Sequence, residues 1–299
     1  MAEPAPRASV VVPTYARPEM IAACVAALQA QAGSGPIEVV VVDDGSPEPV
    51  PDLARGPHPV RVLRQDNAGP ATARNAGARA ARAPLLLFTD DDCRPRPGWA
   101  AALIAAAEGR DRPTLLGGRT VNAVGGDLYA ETSQAMNDYL SAQDPAAEPF
   151  FASNNIAVPR DAFLALGGFD AGYRRAAGED RALCRDWARA GHAFAAVPDA
   201  VLDHHHAMSL RRFWRQHRNY GFGAARFHAQ GSATGAPFRP LARLGFYGGL
   251  VAAPLRARWS ARALASSGLV ALAQVATAQG YREARRSGDA THQSPSRGP

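Results

Sequence analysis

The run Leu85-Leu86-Leu87-Phe88 carries no polar side chain, and after Thr89 it stops at three consecutive carboxylates, Asp90, Asp91 and Asp92. A short continuous apolar run of this kind suits a strand buried on both faces of a parallel sheet, and open parallel sheets bind ligands at their carboxyl edge. Two more strands of this kind lie upstream. Residues 9–12 make a short β-branched run that Pro13-Thr14-Tyr15 breaks, and 37–42 make a buried run ending in the turn sequence Asp43-Asp44-Gly45-Ser46. Between the runs, 19–31 carries Ile21, Val25 and Leu28 at helical spacing, and 69–83 is an Ala/Arg-rich helix. With a further strand over 60–63, this alternation predicts right-handed βαβ units and an α/β fold with a mostly parallel central sheet.

Past residue 92 the pattern is looser. A helix is expected over 99–108, a strand over 115–121, and another strand over 150–159; the polar stretch 123–149 has no readable period. A short helix and the turn Gly167-Gly168-Phe169-Asp170 follow. Gly178-Glu179-Asp180 opens a helix that runs to about residue 190, with its acidic pair in the first turn, where the helix dipole favours negative charge. Residues 194–206 read as extended and 209–220 as helical, and the last fifteen residues read as a disordered tail.

All 33 basic residues are arginine. The absence of lysine excludes a Walker-type phosphate loop, a Schiff-base lysine and a pyridoxal phosphate anchor. Charge is divided unevenly along the chain: 1–203 holds 19 Arg against 25 Asp and Glu, and 204–299 holds 14 Arg against Glu283 and Asp289 alone. Such a basic segment suits an anionic membrane surface or a phosphorylated acceptor; without a stacking pattern of aromatic residues it does not suggest nucleic acid. Cys24, Cys93 and Cys184 show neither metal-ligand spacing nor an even disulfide framework, which fits a reducing, cytoplasmic compartment. The N-terminus lacks the apolar core of a signal peptide, and no run of about 18 apolar residues forms a simple membrane span. The nearest candidates, 244–255 and 266–278, are either core helices or segments lying in a bilayer interface beside Arg243, Arg256, Arg258 and Arg262.

Three carboxylates in a row repel one another unless a cation shares them. A divalent metal carrying a phosphorylated substrate answers this, since hard oxygen ligands suit Mg2+ or Mn2+; the alternative is a solvated acidic turn. Four segments then recur in a familiar order: Val11-Val12-Pro13-Thr14-Tyr15, Val40-Val41-Val42-Asp43-Asp44-Gly45-Ser46, the stretch from Asn67-Ala68-Gly69 to Arg74-Asn75-Ala76-Gly77, and Leu87-Phe88-Thr89-Asp90-Asp91-Asp92. Together with Gly167-Gly168-Phe169-Asp170 and Gly178-Glu179-Asp180, they closely resemble family 2 of the inverting glycosyltransferases, which have the GT-A fold. The resemblance covers roughly residues 8–225.

That resemblance implies a donor that is a nucleotide-diphosphate sugar. Pro13, Thr14 and Tyr15 would wall the base pocket, Asp44 would accept a base N–H, and Arg74 and Asn75 would contact the nucleotide. Asp90 and Asp92 match the ends of the family's Asp-x-Asp signature: Asp92 would ligate Mn2+ or Mg2+ between the phosphates, and Asp90 would lie near the ribose or metal. Asp91, in the variable place, either substitutes for them or is merely solvated, and Cys93 is a bystander. Asp180 matches the family's general base, with Glu179 as the alternative. His204 is either a third metal ligand or a hydrogen-bonded structural histidine, while His205 points to the opposite strand face. Ser153-Asn154-Asn155 and Trp187 would line the acceptor side. The resemblance also implies an acceptor that is a glycan or lipid-linked hydroxyl, and work on polysaccharide or cell-envelope glycan of bacterial type.

The expected organisation is a GT-A domain over 8–225, with a nucleotide-sugar half at 8–121 and an acceptor half at 122–225. A helical extension over 226–284 and a tail over 285–299 follow. Arg211, Arg212, Arg215 and Arg218, with Phe213 and Trp214, would face a membrane from one amphipathic helix. A nucleotidyltransferase and a non-catalytic nucleotide-sugar-binding protein are the rival readings. The first lacks the glycine-rich loop and lysine such enzymes use, and the second would be favoured by missing metal or base carboxylates, which this chain has.

Overall fold

The computed structural model describes residues 5–53, 55–141, 150–173, 175, 177–232, 244–257 and 259–287. Strands β1 (Ala8–Thr14), β2 (Ile37–Asp43), β3 (Val60–Arg64) and β4 (Leu85–Phe88) run parallel in the spatial order β3-β2-β1-β4. The sheet continues past β4 with β5 (Cys93–Pro95), β6 (Thr114–Asn122), β7 (Ile156–Pro159) and β8 (Ala193–His204), in the order β7-β6-β8-β5. Only β7 and β5 run against their neighbours. Every residue of β1 and β2 is buried, as expected of valine-rich strands covered on both faces.

Helices α1 (Pro18–Gln29) and α3 (Trp99–Ala107) cover one face, where Ile21, Leu28, Trp99 and Leu103 pack on Val10, Val12, Val39 and Val41. α2 (Pro70–Ala80), α5 (Arg160–Ala165) and α6 (Glu179–Arg189) cover the other. There Phe88, Phe163 and Phe169 meet with ring centroids 5.1 to 5.4 Å apart. α2 lies close to the strands because Gly77 has no side chain: a Cβ there would stand 2.4 Å from Val11 Cγ1. That close approach fixes the height of Arg74 and Asn75, which sit one turn earlier.

Several elements differ from the sequence reading. β1 runs through Pro13 to Thr14 instead of breaking, because β4 pairs with β1 only as far as Val11 opposite Phe88, so no ladder partner needs the missing proline N–H. The strand expected over 150–159 is confined to Ile156–Pro159; Asn155 turns back on Ala152 through a backbone hydrogen bond of 3.1 Å. The unreadable stretch 123–149 contains α4 (Leu128–Ser141), and the expected helix over 209–220 extends as α7 (Leu210–Ser232). The expected boundary at 225 therefore falls inside a helix. α8 (Leu244–Ala257) and α9 (Ala261–Ser287) complete a helical layer in which Met136, Phe213, Leu250, Val270 and Ala273 share a core. α9 continues to Ser287, past the start of the tail expected at 285; residues 288–299 lie outside the described residues.

α9 is long and apolar enough to cross a membrane by length and composition, with a window of mean hydropathy 1.2. Its Ser267, Val270, Ala273, Ala276, Gly280 and Ala284 are buried in the helical layer. Arg218 of α7 pairs with Glu283 of α9. Phe213 is fully buried rather than exposed beside the α7 arginines; among the described residues the most exposed large apolar side chains are Trp259 (83% exposed), Leu264 (63%) and Val275 (59%) around α8 and α9.

Candidate active site

Parallel strands deliver their last side chains to one edge. β1 ends in Thr14, β2 in Asp43 with Asp44 next, and β4 leads through Thr89 into Asp90, Asp91 and Asp92. β5 starts at Cys93 and pairs with β8 so that Cys93 lies opposite His204. This ladder brings His204 Nε2 to 3.4 Å from Asp92 Oδ1. His206, two residues on and so on the same face, places Nδ1 3.3 Å from Asp92 Oδ2 and stacks on His204 at 5.2 Å. His205 contributes its backbone N–H to the Asp92 carbonyl, 2.8 Å away.

Burial alone would raise the Asp92 carboxyl, but its hydrogen bonds with His204 and His206 hold it well below the usual carboxylate range. Ligand atoms of Asp92, Cys93 and His204 lie within 4.8 Å of one another. Carboxylate oxygen and imidazole nitrogen suit Mn2+, so Asp92 and His204 fit such an ion. Cys93 does not add to them: burial first, then Asp92, pushes its thiol well above the ordinary value and keeps it protonated.

Asp91 is neither solvated nor free. It is buried, accepts from Thr14 Oγ1 at 2.8 Å and from Arg17 Nη1 at 2.9 Å, and burial lifts its carboxyl to about 6 against the pull of Arg17. Arg17, absent from the sequence reading, also reaches Asp92 Oδ2 at 3.2 Å from the same nitrogen. It follows Ala16, whose backbone is left-handed at φ 52° and whose N–H donates to Ser46 Oγ at 2.9 Å.

The third carboxylate is tied differently. Arg74 is 3% exposed, so it is no surface helix charge; its Nη2 donates to Asp90 Oδ1 at 2.6 Å and its Nη1 to Glu179 Oε1 at 3.1 Å. One buried guanidinium thus links the Asp90-Asp91-Asp92 triplet to the start of α6. Gly178, left-handed at φ 92°, turns the chain into that helix. Glu179 Oε2 is buried without a hydrogen-bond partner among the described residues. Burial, followed by the charge of Asp180, lifts the Glu179 carboxyl to about 7 against Arg74. Asp180 is also raised by burial, opposed by Arg181, so desolvation outweighs the helix-terminus effect that the sequence suggests.

Other expected contacts are committed to the scaffold. Asp44 accepts from Gln65 Nε2 at 2.7 Å and from the backbone N–H groups of Ala68 and Gly69 at 3.0 and 2.8 Å, which secures the turn into α2. Asp43 holds the Ser46 N–H at 2.9 Å and Arg64 at 2.8 Å. The Asn75 amide donates to the Phe169 carbonyl at 2.7 Å and accepts its N–H at 2.9 Å, so it pins the Gly167-Gly168-Phe169 turn. Trp187 is fully buried, and Asn155 accepts from Trp99 Nε1 at 2.8 Å and donates to Ala200 O at 3.1 Å; neither lines an open acceptor side. Tyr15 is exposed beside the edge.

A family model described as glycosyl transferase family 2 matches residues 9–179. Among curated relatives, an uncharacterized glycosyltransferase of Haemophilus influenzae is 28% identical over 56% of this chain and 57% of its own length. The hyaluronan synthase of Pasteurella multocida is 33% identical over 37% of this chain and 12% of its own. The chain thus spans little more than half of the first relative and much less of the second. Among solved structures, a mannosyltransferase of Pyrobaculum calidifontis in complex with GDP-Man and Mn2+ is similar with a TM-score of 0.59, at 20% identity over 97% of this chain and 88% of that one. GalNAc-T7 with UDP, GalNAc and Mn2+ is similar at a TM-score of 0.51 and 16% identity, over 75% of this chain and 52% of that one. These likenesses place the sheet and its flanking helices in the GT-A fold.

Proposed function

Because the chain belongs to glycosyl transferase family 2, we propose that it moves a sugar from a nucleotide-diphosphate donor to an acceptor hydroxyl, with inversion at the anomeric carbon. The observation that carries this reading is the single edge where Asp92 and His204 approach to 3.4 Å and Arg74 links Asp90 to Glu179. The two similar structures bind GDP-Man and UDP beside Mn2+, which supports a nucleotide-sugar donor here.

Asp92 and His204 would hold Mn2+ or Mg2+, with Asp90 beside them. When bound, the ion supplies Lewis-acid charge stabilisation to the departing diphosphate. β1 ends at Thr14 beside the donor, with Tyr15 next, and Asp44 with Asn75 supports the loops that shape its pocket. Asp180 takes the proton of the acceptor hydroxyl as that oxygen bonds to the anomeric carbon; the carbon–oxygen bond to the diphosphate breaks, and its electron pair leaves with the nucleoside diphosphate. Arg74 keeps Glu179 from competing by engaging one of its oxygens. The raised carboxyl of Asp180 suits a base that works near neutral pH.

Nucleoside-diphosphate release from a panel of nucleotide sugars, with and without Mn2+, tests the reading. Wild type should release one nucleotide in a metal-dependent way and Asp92→Ala should not. Metal-dependent binding of a nucleotide sugar without turnover, across a panel of glycan and lipid-linked acceptors, would instead identify a non-catalytic binding protein. The acceptor we propose is a glycan or lipid-linked hydroxyl, reached from the cytoplasmic side of an anionic membrane. Trp259, Leu264 and Val275 are uncovered, and Arg256 in the last turn of α8 shortly precedes Trp259; this supports that placement, because exposed aromatic and aliphatic residues with arginine favour a lipid interface.

A further inference from the structure

Arg17 does more than neutralise a buried carboxylate. One nitrogen, Nη1, spans Asp91 Oδ1 at 2.9 Å and Asp92 Oδ2 at 3.2 Å. Its Nε and Nη2 make no hydrogen bond to any described residue, and its side chain is 49% exposed, against 3% for Arg74 on the same triplet. Arg74 is locked between Asp90 and Glu179, whereas Arg17 is half exposed and held through one nitrogen alone.

The charges give this freedom a use. Four carboxylates at the edge, Asp90, Asp91, Asp92 and Glu179, share two guanidinium groups, so the edge is left with excess negative charge. A divalent ion held at Asp92 would remove that excess and would compete with Arg17 for the same carboxylate. The donor's diphosphate would be the kind of acceptor that a planar guanidinium fork binds well. We propose that Arg17 is the resident counter-ion of the metal site, holding Asp91 and Asp92 until the ion binds and then turning its free N–H groups to the donor diphosphate. This rests on the metal and donor reading given above.

The exchange predicts opposite signs for one substitution. Arg17→Ala removes the cation that competes for Asp92, so Mn2+ should bind about fivefold tighter, the size of a partly exposed charge pair. The same variant loses a charged contact to phosphate, so UDP or GDP should bind Mn2+-saturated protein about tenfold more weakly. A purely supporting role would weaken both. Arg17→Lys keeps the charge but not the fork, so Mn2+ affinity should stay near wild type while nucleotide affinity falls part of the way.

Titration calorimetry of Mn2+ into metal-free protein, and of UDP and GDP into Mn2+-saturated protein, reads both signs without any turnover. Asp92→Asn serves as the metal-site control, and Arg17→Gln replaces the alanine variant if that one unfolds. Tighter Mn2+ with weaker nucleotide supports the exchange. Equal or weaker Mn2+ binding in Arg17→Ala overturns it, as does unchanged nucleotide affinity. Wild type that takes up no Mn2+, or Asp92→Asn that binds it as well as wild type, would instead bring down the metal reading, and the exchange with it.

Discussion

At the carboxyl edge of the sheet, Asp90, Asp91, Asp92 and Glu179 are tied by two guanidinium groups, whereas α7 to α9 turn several arginines outward and leave Trp259, Leu264 and Val275 uncovered. In the first region Asp91, Asp92, Arg74 and Glu179 are buried against chosen partners, so removing one partner strands another in a medium of low polarizability. In the second, the outward arginines face water and contribute little to stability, but they decide what the surface meets. The difference separates chemistry held by geometry from contact made by composition.

Substitutions at the edge should therefore have the larger effects. Asp180→Asn is expected to lower kcat by about 100- to 10,000-fold, the range for losing a positioned base. Donor affinity, measured by calorimetry, should barely change. Arg74→Ala should cost about 3 to 5 kcal/mol in urea unfolding, because it leaves buried Glu179 without its cation. An Arg74→Ala protein as stable as wild type would mean the edge tolerates unpaired charge as the surface does. Gly77→Ala should destabilise by about 1 to 3 kcal/mol by forcing α2 off Val11.

Glu179 gives a pH test of the same contrast. Its carboxyl is raised from 4.5 to about 7 in the folded protein, so the folded state binds the proton more tightly than the unfolded chain. The stabilisation is complete below about pH 4.5 and is lost as pH rises through about 7. Relative to Glu179→Gln, wild type should lose stability over that window in thermal melts. The smallest effect belongs to the helical layer: Trp259→Ala should change stability by less than about 0.5 kcal/mol and leave soluble-donor turnover unaltered. Its binding to vesicles containing anionic lipid should nonetheless fall; unchanged binding would remove the case for a membrane-facing surface.

Much of this division can be read in the residues. The valine-rich runs and their carboxylate ends mark the parallel strands, because strands covered on both faces show no alternation to obscure. Helical spacing at Ile21, Val25 and Leu28 marks α1 for the same reason, since its apolar stripe is intact. Where side chains finally point is harder to read. Arg17 lies far along the chain from Asp91, and a guanidinium on a long flexible stem can reach many partners, so position alone does not name them. Asn75 and Asp44 sit where ligand contacts are expected, yet their short polar side chains are also the natural fasteners of turns, and in the fold they serve as such. His206 was within reach of the sequence: the alternation that sends His205 to the opposite face returns His206 to the side of His204. α4 was not, since the polar residues of 123–149 blur its period, and of α7 only the stretch 209–220 was read, short of its end at Ser232.

The histidine triplet has a consequence for errors in strand pairing. β8 meets β5 through a ladder of only three residue pairs, with His204 opposite Cys93. A slip of one residue in a strand ordinarily exchanges its faces and would take the His204 imidazole away from Asp92. Here a slip of one brings His205 opposite Cys93 and a slip of two brings His206, so an imidazole stands next to Asp92 in all three registers. Three identical side chains in a row make the imidazole beside Asp92 tolerant of where the last strand stops.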